Sequence, residues 1–169
     1  MDREYLNPKR EGLGEIHDGN QFFQYRYATV DIAREIDAIS SFEEFDKFYT
    51  YDLMDGNSLL AEYLSELLER YKAKPEVISI EIGYSHDYVR KIAVGDRKDP
   101  RRDVLLAICS YIHATVEETQ VLLRYAGQQP LYARRKRDAI IWFALKNRQD
   151  FKKLNEFLYE RGYTTLWKK

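Results

Sequence analysis

Cysteine is almost missing from this chain. Cys109 stands alone, which excludes an intramolecular disulfide and fits a reducing, cytoplasmic setting. Long apolar runs are missing too. None approaches the roughly 20 residues that a membrane span requires, so no membrane partner is expected. The N-terminus, MDREYLNPKR, lacks the basic-then-apolar pattern of a signal peptide. Histidine is sparse. His17, His86 and His113 are scattered, with no Cys, Asp or Glu at metal-ligand spacing, so no metal and no cofactor is expected. Neither a Ser/His/Asp elbow, a phosphate-cradling glycine loop nor a paired-carboxylate pocket can be argued from spacing, and an enzyme is not expected. Exact repeats and low-complexity tracts are also lacking.

What is present suits a globular chain. Apolar residues make up 44% and charged residues 33%, and 169 residues can bury a core as one domain or two small ones. The net charge of −1 conceals an asymmetry. Residues 1–60 carry 6 basic and 13 acidic groups, net −7; residues 61–120 carry 9 and 11, net −2; residues 121–169 carry 12 and 4, net +8. A nucleic-acid footprint is usually basic. The middle third fails that test in total but not locally. From His86 to Arg102 six basic groups face three acids.

Periodicity predicts an all-α chain. The first 20 residues are polar and aperiodic, and FFQYRY (residues 22–27) is either a short strand or an aromatic anchor. Ile32, Ala33, Ile36 and Ile39 mark a helix over 29–39. Ser41 and Glu44 form a capping-box pattern before a helix from Phe42 to about Leu53. Leu60, Leu64, Leu67, Leu68 and Tyr71 line one face of a strongly amphipathic helix over 59–71. Short helices follow at 75–82 and 86–94. Next comes 101–112, with Val104, Leu105, Ile108, Cys109 and Ile112 inward and Cys109 as a core thiol. Thr115 and Glu118 cap a helix over 116–126 that Gly127 and Pro130 end. The tail holds AIIWFALKN (139–147), with Trp142 and Phe143 expected in the core, and a last helix over 151–161, with Leu154, Phe157 and Leu158 inward. This divides the chain into an acidic, aromatic N-terminal region (1–57), a central helical domain (58–127) and a basic C-terminal helical hairpin (128–169).

The central stretch, KPEVISIEIGYSHDYVRKIAVGDRKDPRRDVLLAICSYI (74–112), carries the functional argument. Gly83 can adopt the left-handed conformation that ends a helix, and Ser85 is placed to cap the next one. Two short helices joined by so tight a turn suit a helix-turn-helix, whose second helix enters a DNA major groove.

Residues 64–123 resemble the phage-repressor-like (Cro/cI, XRE) helix-turn-helix family. Small Ser79 lies four residues before Gly83, where that family packs its helices closely. Gly83-Tyr84-Ser85 matches the turn, Tyr88-Val89 and Ile92 match Ser-x-x-Tyr-Val-x-x-Ile, Gly95 ends the recognition helix, and Pro100 precedes the fourth helix. His113-Ala114-Thr115 lies where the family often has Gly-Val-Ser. The tail, from LLRYAG through LYARRKRDAIIWFAL to LNEFLYERGY, looks like an extension of some small bacterial members. The chain departs from the family at Lys74-Pro75, where Thr-Gln is common, at Arg90 for Ser, and at Ala93 for Glu. The resemblance implies an all-α bundle around a lambda-repressor-like domain, with extra helices at both ends, and a transcription regulator acting on double-stranded DNA.

The recognition helix turns Val89 and Ile92 inward and Ser85, His86, Asp87 and Lys91 outward as base contacts. Lys74, Arg90, Arg97, Lys98, Arg101 and Arg102 are the phosphate contacts. Arg134, Arg135, Lys136 and Arg137 form a further basic run, for DNA, for an acidic partner or for the chain's own acidic region. The N-terminal 60 residues suit either plain helical packing or a regulatory, partner-binding lobe. The flanking N- and C-terminal helices would stabilise the module, join it into a homodimer or receive a signal. A protein-interaction adaptor that kept the scaffold and lost DNA is the alternative from a different class, favoured by Pro75, Ala93 and the net −2.

Overall fold

The computed structural model describes residues 36–51 and 56–167. The FFQYRY segment and most of the helix expected over 29–39 lie outside them; of that helix, residues 36–38 are helical. Among the described residues every regular element is a helix, as the periodicity predicts.

The chain divides into two units, Met1–Leu53 and Met54–Lys169. In the first, α1 spans Phe42–Tyr51. Its start uses the expected box with one change. Ser41 Oγ accepts from the Glu44 backbone N–H at 3.2 Å, but the Glu44 carboxylate reaches Ser40, accepting from its N–H at 3.1 Å and its hydroxyl at 3.0 Å. Those hydrogen bonds, the Ser40 N–H foremost, hold the Glu44 carboxyl below its ordinary range.

The second unit contains α2 (Gly56–Arg70), α3 (Pro75–Glu81), α4 (Tyr88–Ala93), α5 (Arg102–Tyr111), α6 (Val116–Tyr125), α7 (Lys136–Lys146) and α8 (Phe151–Glu160). Helix α2 packs on α4 and α6, α3 on α4, and α5 on α6, α7 and α8. Residues 104–110 of α5 are all buried, so this stretch is enclosed on every side and forms the centre. Cys109 is enclosed there, and burial pushes its thiol up to about 12. Residues 128–166 contribute Leu131, Ile141, Phe151, Leu154, Leu158 and Leu166 to the same core as α2–α6, so the basic tail and the central helices form one unit.

Two polar devices fix the packing. Glu118 closes the capping box with Thr115 and also accepts from Arg70 at 2.6 Å and from the Tyr71 hydroxyl at 2.6 Å. Burial would raise its pKa, but these donors outweigh burial and leave it lowered. The second device is a reciprocal clasp. Arg102 pairs with Asp138 through two hydrogen bonds of 2.9 and 3.1 Å, and Arg137 pairs with Asp103 through two of 2.9 Å. Adjacent Arg-Asp residues at the start of α5 thus meet adjacent Arg-Asp residues at the start of α7. Forked, two-bond pairing makes each contact directional.

Three aromatic residues of the tail, Trp142, Phe143 and Phe157, lie less deep than expected. Phe143 is 63% exposed rather than buried. The inward face of α7 runs through Asp138, Ile141, Ala144 and Leu145 at spacings of three and four, which turns Phe143 away. Trp142 is only partly buried. Phe157 is 42% exposed, because α8 buries Phe151, Leu154, Asn155 and Leu158 instead. Between these helices Ile140, Phe143, Leu154 and Phe157 border an apolar cleft of about 450 Å³, with Lys153 on its wall. The chain end then returns to the centre. Asn155 Oδ1 accepts from the Leu166 and Trp167 N–H groups, and the Trp167 indole N–H donates to the Glu81 carbonyl at 2.6 Å.

Candidate nucleic-acid interface

The candidate surface is built on α3, α4 and the loops beside them. Helix α3 ends at Glu81 with Ile82 as its cap, and Gly83 follows with a φ of +83° that an L-residue with a Cβ would adopt only with strain. The Gly83 N–H donates to the Ile80 carbonyl at 3.0 Å, and the Tyr84 N–H to the Ser79 carbonyl at 2.8 Å. The chain therefore turns tightly within a few residues of the end of α3.

Helix α4 starts two residues later than its sequence suggests, at Tyr88, with Asp87 as the flanking residue. The expected Ser85 hydroxyl cap does not form. The Ser85 carbonyl accepts from the Tyr88 N–H at 2.9 Å instead. The side-chain cap comes from α3. Ser79, fully buried, donates its hydroxyl to the Pro75 carbonyl at 2.7 Å and accepts from the Val89 N–H at 3.0 Å. The first N–H groups of any helix lack intrahelical partners, and here a neighbouring helix supplies one. At the other end of α4 the Ser65 hydroxyl donates to the Ala93 carbonyl at 2.8 Å. Ile78, Ile82, Val89 and Ile92 are fully buried behind the pair.

Ser85, His86 and Lys91 are exposed, and Asp87 lies partly exposed beside them. His86 Nδ1 is 3.2 Å from Asp87 Oδ1, and Arg90 Nε is 3.7 Å from the same oxygen. The His86 hydrogen bond, followed by the Arg90 charge, holds the Asp87 carboxyl below its usual value. Asp87 is therefore a local partner for His86 and Arg90.

The phosphate-contact set divides. Lys74, Lys98 and Arg101 are exposed, and so is Arg90 despite its partner. Arg97 is also exposed, but its guanidinium lies 4.5 Å from the centroid of the Tyr88 ring. Arg102 does not belong with them. Besides Asp138, its guanidinium donates to the Gln129 and Pro130 carbonyls, so its polar groups are spent inside the fold. The basic run in the tail divides in the same way. Arg134, Arg135 and Lys136 are exposed, whereas Arg137 is held by Asp103 and by the Thr164 carbonyl.

Sequence reasoning passed over the aromatic part of this surface. Tyr84 and Tyr88 stack at 4.2 Å with a 35° tilt, next to Arg97. In the sequence Tyr88 stands out only through the Tyr-Val match to the family pattern, and its spacing gives no sign that Arg97, nine residues on, returns to its ring. Among the described residues no three His, Cys, Asp or Glu side chains are grouped as a metal site would need, and no helix is long and apolar enough to cross a membrane. Comparison with family models, with curated proteins and with solved structures gave no match.

Proposed function

We propose that this chain is a sequence-specific, double-stranded-DNA-binding transcription regulator of the phage-repressor-like helix-turn-helix type. In this reading α3 and α4 are the motif and α4 enters the major groove. Ser85, His86 and Lys91 meet base edges there, while Asp87 orients His86 and Arg90. Lys74, Arg90, Arg97, Lys98 and Arg101 grip phosphates on either side. The single observation that carries the reading is the contrast on α4. Its inner face is clamped by Ser79, Val89 and Ile92, while cations cluster on its outer face and on the loop that follows.

The reading includes a cytoplasmic bacterial setting and a homodimer, since such motifs read half-sites one helical turn apart. It assigns the acidic N-terminal region to a protein partner. Retention on a generic duplex column at low salt tests it. The wild-type chain should be retained, and the double change Lys91→Ala, Arg97→Ala should elute earlier while staying folded. Loss of retention in the wild type would sink the proposal.

A second reading, a protein-interaction adaptor on the same scaffold, is favoured by the internal use of Arg102 and Arg137, which removes two cations from the surface. An adaptor would show no duplex retention at any salt.

A further inference from the structure

We infer that Tyr88 is a positioning residue that fixes Arg97 as a preorganised phosphate contact; this deepens the DNA-binding reading and rests on it. Three observations converge. The Arg97 guanidinium lies 4.5 Å from the Tyr88 centroid. The Arg97 N–H donates to the Lys91 carbonyl at 2.9 Å, which ties the loop after Gly95 back onto α4. The Tyr88 ring also meets Tyr84 at 4.2 Å, and Tyr88 itself is buried, which holds the platform in place.

An exposed arginine ordinarily loses rotamer entropy when it grips a phosphate. Here the fold already bears most of that cost, because the side chain is laid on an immobile ring. A planar guanidinium can stack on a ring while its N–H edges point outward to an oxyanion. An ammonium lacks that planar division between a stacking face and a donating edge. Charge and preorganisation are therefore separable at this one position, which a plain surface cation would not allow.

The experiment is a duplex-binding titration over a series of salt concentrations, with thermal unfolding of each variant. Arg97→Lys keeps the charge and loses the planar stack. It should weaken binding about two- to fivefold, with the slope of log K against log salt unchanged. Arg97→Ala removes the charge as well and should reduce the magnitude of that slope by about 0.9. Tyr88→Phe keeps the ring and should bind as wild type. Arg97→Lys binding as tightly as wild type, or Arg97→Ala leaving the slope unmoved, overturns the inference while DNA binding stands. Wild-type protein that fails to bind duplex at low salt overturns the DNA-binding reading, and this inference with it.

Discussion

Replacing Ser79 by alanine isolates one hydrogen bond. Alanine is nearly the same size, so little cavity is left and the close approach of α3 and α4 survives. What disappears is the acceptor for the Val89 N–H, now 3.0 Å away. Val89 is fully buried and in the first turn of α4, so neither water nor a preceding helical carbonyl can replace the hydroxyl. A buried donor left without a partner costs about 1–3 kcal/mol. The lost donation to Pro75 offsets little, because bonding back to the carbonyl four residues earlier in a helix is mildly unfavourable anyway. We expect Ser79→Ala to lower stability by about 1–2 kcal/mol in urea unfolding, and to speed exchange of the Val89 amide ahead of its neighbours. Ser110→Ala is the matched control. The Ser110 hydroxyl is also buried but has no hydrogen-bond partner among the described residues, so its removal should be neutral or stabilising. Equal effects at the two serines, or a Ser79→Ala protein within about 0.5 kcal/mol of wild type, would refute the cross-helix cap.

Other outcomes follow from the same geometry. Arg102→Ala leaves Asp138, only 3% exposed, without its counter-charge and with the Tyr132 N–H still donating to it, and should cost about 3 kcal/mol in urea unfolding; where the protein stays folded, the salt slope of duplex binding should be that of wild type. His113 sits at φ +56°, in the left-handed region, at the position where the resembling family often has glycine; His113→Gly should raise stability by about 1 kcal/mol, read as a higher melting temperature. The Glu118 carboxyl titrates below its ordinary 4.5 when folded. Its contribution is thus complete above the unfolded-state value and is lost as pH falls through the lowered folded value. Glu118→Gln should be less stable at neutral pH and show a shallower acid-induced loss of stability, measured by urea unfolding at several pH values.

The sequence was most legible where spacing and caps act locally. The leucines of α2, the inward face of α5, the Thr115–Glu118 box and the break at Gly83 all follow from contacts within a few residues. Long-range polar pairing was not legible. Arg102 and Arg137 look like surface cations in sequence because their carboxylate partners are 36 and 34 residues away. Ser85 was the natural cap for the helix after the turn by proximity, but Ser79, ten residues before Val89, takes that role from an adjacent helix. Phe143 and Phe157 show the limit of hydropathy on a short helix. Each is apolar, yet neither falls on the face that the helical repeat points at α5.

Salt dependence of duplex affinity bears most directly on the assignment of this surface to DNA. Lys74, Arg97, Lys98 and Arg101, with Arg90 partly occupied by Asp87, leave about four cations per protomer for phosphates, so log K should fall against log salt with a slope near −4. Affinity insensitive to salt, or no measurable binding at low salt, would contradict it.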